Sequence, residues 1–358
     1  MNRAGVQHRR ASVWRLLRGE SMPAMAVLLV IAGCGRPAGV LFPRLDSPIV
    51  FPPPPDAARI EYVGALRTDR DLKPAVSSWG RFTEAIRGSA APNSVSAPAG
   101  LAVSAANRVY VTDPPLRCLH IFDLESRQYR AIFDAGGTPL AAPADVAVAE
   151  GRVFLTDAGR ATIDVFTESG DYIRTWDGLE LTRPVGLAWH AASRRLYVVD
   201  AKRHACVAYT LDGREVLRFG GHGDGPGELN YPTYVTADAV LGILIADSLN
   251  FRVQRFAPDG TFISAFGQKG DAAGDFSLPK GVAVEDHRYI FAADANFENV
   301  QVFDAQGRLM MAFGGEGSDP GRFWLPSKIV IDGQQRLWVA DSYNRRVQMF
   351  RLLPEPQA

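Results

Sequence analysis

Leu244-Ile-Ala-Asp-Ser-Leu-Asn-Phe-Arg-Val-Gln-Arg-Phe256 lies over Trp338-Val-Ala-Asp-Ser-Tyr-Asn-Arg-Arg-Val-Gln-Met-Phe350 without a gap, and Ala292 to Phe303 follows the same line. Each segment reads as an apolar strand ending in Asp, a short polar loop, and a second strand closing on an aromatic residue. Working outward, the strand-ending acids recur as Asp113, Asp157, Asp200, Asp247, Asp294 and Asp341, at intervals of 44, 43, 47, 47 and 47. The closing aromatics are Phe122, Phe166, Tyr209, Phe256, Phe303 and Phe350. A proline opens each unit: Pro98, Pro143, Pro184, Pro232, Pro279 and Pro326. Before the last three prolines run glycine-rich links, 221–227, 267–274 and 314–321. A fixed period of this size marks an array of one repeated supersecondary unit.

On these residues the sequence resembles the NHL-repeat family over about residues 98–350. That resemblance implies a six-bladed β-propeller. Strand physics leads to the same place. Each unit holds four short strands rich in Val, Ile, Phe and Tyr, separated by Gly, Asp and Pro turns. One such sheet cannot bury both faces alone, so it must stack on copies of itself, and the period matches a propeller blade. The expected fold class is all-β: six four-stranded antiparallel blades. After Phe350 the chain is too short and proline-broken for a fourth strand in the last blade. Arg59 to Leu66 has the required extended pattern and is expected to supply that strand, closing the ring and covering an edge. The propeller is therefore expected over 59–353, with an insert at 67–97 and a tail at 354–358. Within the insert, Trp79, Phe82 and Ile86 stand at helical spacing, which predicts a short helix over 78–87.

The amino-terminal part reads as an address. Arg3, Arg9, Arg10, Arg15 and Arg18 precede the apolar run 24–33, which is shorter than the ~20 residues a membrane span needs. Val30-Ile31-Ala32-Gly33-Cys34 resembles the lipobox of bacterial lipoproteins. The resemblance implies cleavage after residue 33, lipidation of Cys34 and, with Gly35 rather than Asp following, an outer-membrane protein facing the periplasm. Arg9-Arg10 fits a twin-arginine signal poorly, and Met22 is an alternative start. Residues 34–58, with four consecutive prolines at 52–55, read as an extended tether.

Composition narrows the function. The 358 residues carry 39 basic and 39 acidic side chains, 47% hydrophobic residues and three cysteines. Loss of residues 1–33 removes five arginines and one glutamate and takes the balance from zero to −4. A slightly acidic exported body argues against nucleic acid as partner. Acids repeated in every unit read as structural acceptors for turn amides. Binding candidates fall into two sets. Asn250, Arg252, Asn344 and Arg346 lie in loops that share a rim with the blade-to-blade links. Asp145, Tyr234, Lys280 and Lys328 follow the opening prolines and should line the channel mouth.

The histidines His120, His190, His204, His222 and His287 scatter over strands, turns and loops without metal-ligand spacing, so no metal, cofactor or catalytic set is assigned. Cys118 and Cys206 fall in blades one and three and are expected to be separate buried thiols. The expectation is a monomeric, lipid-anchored envelope module that binds or scaffolds a protein partner. The alternative is a propeller lyase or hydrolase, similar to lactonases or amidating lyases, with a metal site in the channel.

Overall fold

The computed structural model describes residues 39–73 and 91–354. The expected signal segment, Cys34, the expected helix over 78–87 and residues 355–358 lie outside them. Six blade sheets follow one another around an axis, and in blades 1 to 5 the strand nearest the axis comes first in sequence. Blade 1 is Leu101–Val103, Arg108–Asp113, Cys118–Asp123 and Gln128–Ile132. Blade 2 is Pro143–Ala149, Arg152–Asp157, Thr162–Thr167 and Tyr172–Trp176. Blade 3 is Pro184–His190, Arg195–Asp200, Ala205–Tyr209 and Glu215–Gly220. Blade 4 is Val235–Asp238, Gly242–Asp247, Arg252–Phe256 and Phe262–Phe266. Blade 5 is Pro279–Glu285, Tyr289–Asp294, Asn299–Asp304 and Leu309–Gly314. Blade 6 has Pro326–Ile331, Arg336–Asp341 and Arg346–Leu352, and its fourth strand comes from the other end of the chain.

That fourth strand is Ile60–Leu66, which runs antiparallel to Arg346–Leu352 with Ile60 opposite Leu352 and Leu66 opposite Val347. Tyr62 packs edge-on to Phe350, with ring centroids 5.6 Å apart. The core confirms closure. Among the described residues six hydrophobic clusters occur, each between two successive blades, including one joining blade 6 to blade 1 through Leu101, Val109, Trp338 and Val347.

Within the expected extended tether over 34–58, two described stretches pack on the propeller instead. Val50–Phe51 adds a fifth strand outside Ile60–Leu66. Phe42 meets Trp338 at 6.3 Å, and Phe51 meets Phe313 at 5.4 Å. Proline content argued for an extended chain and was silent on docking. Scattered aromatics such as Phe42 and Phe51 have no period, yet each fills a space at the rim of blade 6.

The repeated aspartates hold the loops of one face in place. All six are fully buried. Asp113 accepts from the amides of Ser96 and Ala97, Asp157 from Ala141 and Ala142, and Asp200 from Thr182 and Arg183. Asp247, Asp294 and Asp341 do the same for Asn230, for Ser277 and Leu278, and for Trp324. Each carboxylate thus ties the link entering its blade to the loop leaving the second strand. In the glycine-rich links, Gly267 (φ 87°) and Gly314 (φ 98°) permit a turn in which an added Cβ would strike the rings of Phe276 and Phe323.

Candidate functional site

The channel is built from one register of the repeat. Two residues after the opening prolines stand Gly100, Asp145, Gly186, Tyr234, Gly281 and Lys328, so glycines alternate with large polar side chains around the axis. The glycines leave room where the chains crowd. A Cβ on Gly100 would lie 2.5 Å from the Asp145 Cα, and one on Gly281 would lie 2.4 Å from the Ser327 carbonyl oxygen.

The three large side chains engage one another across the ring. Lys328 Nζ donates to Asp145 Oδ2 at 2.8 Å and to the carbonyl oxygens of Val235 and Leu187 at 3.2 and 3.4 Å. Asp145 also accepts from the amides of Leu187 and Val146. The Lys328 ammonium lies 5.2 Å from the Tyr234 ring centre, and the Tyr234 hydroxyl donates to the Ala99 carbonyl. Both members of the ion pair are buried. Burial raises the Asp145 carboxyl against the pull of Lys328 and the two amides, and burial raises Tyr234. This network joins blades 1, 2, 3, 4 and 6 through the axis.

One layer outward, the residues directly after the prolines form the mouth. They are Ala99, Ala144, Val185, Thr233, Lys280 and Ser327. Five of them, with Arg183, Tyr231, Tyr234, Ser248 and Leu278, line a cavity of about 370 Å³. Lys280 is half-buried here, and burial, then Arg183, lower its ammonium below the ordinary lysine value. A larger cavity of about 570 Å³ lies away from the axis, between blades 5 and 6, against Tyr289, Met310, Met311 and Leu352.

Asp145, Tyr234 and Lys328 therefore come together, and Lys280 stands above them. The loop candidates are engaged within the protein. Arg252 reaches Asp247 and the carbonyls of Asp224, Gly225 and Glu228, and the fully buried Arg346 repeats this with Asp341, Ser318, Asp319 and Arg322. Asn250 and Asn344 donate to Gly223 and Gly317. Arg183 and Ser248 were not singled out from the sequence. Arg183 precedes an opening proline, a position held by apolar residues or tyrosine in the other units, and that contrast was the available signal.

Apart from one pair, the described histidines lie apart from one another. His120 sits in blade 1 between Asp113 and the Tyr129 hydroxyl, and His287 pairs with Asp238 on the opposite face. His204 and His222 meet ring to ring at 4.4 Å beside Tyr231. Among the described residues no three His, Cys, Asp or Glu side chains gather as a metal site. Both Asp145 oxygens are already held, one by an ammonium that would repel a cation, so these channel residues do not fit a metal.

No protein-family model matches this sequence, and no curated protein matches it. Solved structures do match in fold. A streptogramin B lyase superposes with TM-score 0.55 at 14% identity, covering 72% of this chain and 94% of that one. A virginiamycin B lyase from Staphylococcus aureus gives 0.54 at 15% identity over 72% and 96%. An auxiliary nutrient binding protein from Bacteroides thetaiotaomicron gives 0.57 at 14% identity over 72% and 69%. At such identities the likeness establishes the six-bladed propeller and nothing finer.

Proposed function

We propose that this chain is an exported, lipid-anchored propeller of NHL type that docks a protein partner on the face carrying the blade links. The observation behind this reading is the distribution of exposed apolar side chains on that face. Trp324 and Tyr343 are 46% and 61% exposed, and their rings meet at 5.5 Å. Leu116, Tyr231 and Leu249 are exposed around the same mouth. Tryptophan and tyrosine supply large contact area at little conformational cost and dominate binding energy at interfaces. The loops that carry them are tied down by the buried aspartates, so little ordering remains to be done on binding. A lipid on Cys34 would hold this body at a membrane.

The test is site-specific photocrosslinking in cells. A photoreactive residue at Tyr343 should give a discrete adduct that disappears when Trp324→Ala is added, whereas one at Val240 on the opposite face should give none. The same adduct from Val240, or its persistence with Trp324→Ala, would end the docking reading. Cys34→Ser should move the protein out of the membrane fraction, and unchanged fractionation would remove the anchor.

A further inference from the structure

Among the described residues, Lys280 and Arg183 are two cations in one cavity wall that no acidic residue shares. The repeat carboxylates of the same two blades, Asp200 and Asp294, are occupied by backbone amides. The hydroxyls of Thr233, Tyr234 and Ser248 in the wall are also engaged. Ser248 Oγ donates to the Pro279 carbonyl and shares a hydrogen bond with Thr233 Oγ1, and Tyr234 donates to Ala99. Apart from Tyr231, the rest of the wall is apolar and includes Ala99, Ala144, Val185, Leu249 and Leu278.

Lys328 makes the contrast. In the neighbouring blade and one layer deeper, it has a carboxylate and two carbonyls around its ammonium. Nothing comparable surrounds Lys280. A half-buried ammonium beside another cation destabilises the fold, because burial and like charge both penalise the ionised form. An anion seated between the two groups would reverse both penalties, and guanidinium and ammonium together suit a carboxylate.

We infer that the channel mouth is a carboxylate site, in which Lys280 and Arg183 hold the acid group of a small organic acid whose apolar body lies against Val185, Leu249 and Leu278. The acid group could equally be carried by a docked protein as an acidic side chain. For a small organic acid the inference does not depend on the docking surface proposed above; for an acid group carried by a partner it rests on that surface.

The test uses the full chain in detergent, with benzoate as probe and benzamide as its neutral counterpart, at constant ionic strength. Benzoate should raise the melting temperature in a saturable way and benzamide should not, since a ligand selective for the native state stabilises it. Lys280→Met should weaken benzoate at least about tenfold, the scale of one charge-assisted hydrogen bond. Arg183→Gln should weaken it in the same direction. Without ligand, Lys280→Met should melt at or above the wild type, because an uncompensated cation has been removed. If benzoate is silent but Lys280→Met abolishes the Tyr343 crosslink in cells, the acid group belongs to the partner. The inference is overturned if benzoate and benzamide behave alike with the crosslink intact. It is equally overturned if Lys280→Met melts well below the wild type, which would make Lys280 a structural residue.

Discussion

Replacing Lys328 by Met separates the two charges that meet on the propeller axis. Methionine keeps most of the apolar stem, so the change is chiefly electrostatic. It leaves Asp145, fully buried, with only the amides of Leu187 and Val146. Removing one partner of a buried pair costs about 3–5 kcal/mol, because the other charge stays uncompensated. Unfolding entropy of ~2.1 cal/mol/K per residue gives roughly 0.6 kcal/mol/K for a body of this size, so the melting temperature should fall by about 5–8 °C at pH 7.

The sign with pH follows from Asp145. Its carboxyl is already raised in the folded protein by burial. A raised acid contributes stability that is full below its unfolded pKa, near 3.9, and is lost as pH rises through the folded value. Without Lys328 the folded value rises further, so the loss extends to higher pH. The deficit of Lys328→Met should therefore be largest near pH 7 and shrink toward pH 4, where Asp145 takes up a proton. Calorimetry across that range measures it. The double variant Asp145→Asn/Lys328→Met should recover most of the loss, since neither charge remains. A deficit independent of pH, or a double variant as unstable as the single one, would refute the reasoning.

Three further outcomes can be checked together. Deleting residues up to 66 removes Ile60, Tyr62 and Leu66 from the core. At about 1.5–3 kcal/mol for each buried side chain, this approaches the whole stability of an ordinary domain, so the truncated chain should aggregate or melt far lower, and an unchanged melting curve would contradict closure by this strand. Arg346→Lys should destabilise almost as much as Arg346→Met in denaturant titrations, because an ammonium cannot serve Asp341 and three carbonyls with the geometry of a planar fork. Cys118, buried and with its thiol pushed up to about 12, should resist alkylation at pH 8 until the protein unfolds, as followed by mass spectrometry.

The sequence by itself determined the architecture, because every blade solves the same local problem. Asp247 and Asp341 recur because each link needs an acceptor for its amides, and Phe256 and Phe350 recur because each space between blades needs filling. Such demands repeat with the blade and leave a period that can be read. The closing strand was legible for a related reason: six units with one strand missing leave an edge that some other extended segment must cover. What does not repeat was settled only in three dimensions. Phe42 and Phe51 dock on blade 6 at positions with no counterpart elsewhere in the chain. Asp145 and Lys328 are 183 residues apart and meet only because ring closure brings their blades around a common axis. The same closure brings Arg183 and Lys280 to one cavity whose described wall holds no carboxylate, since a channel gathers single residues from many blades and periodicity records only what the blades share.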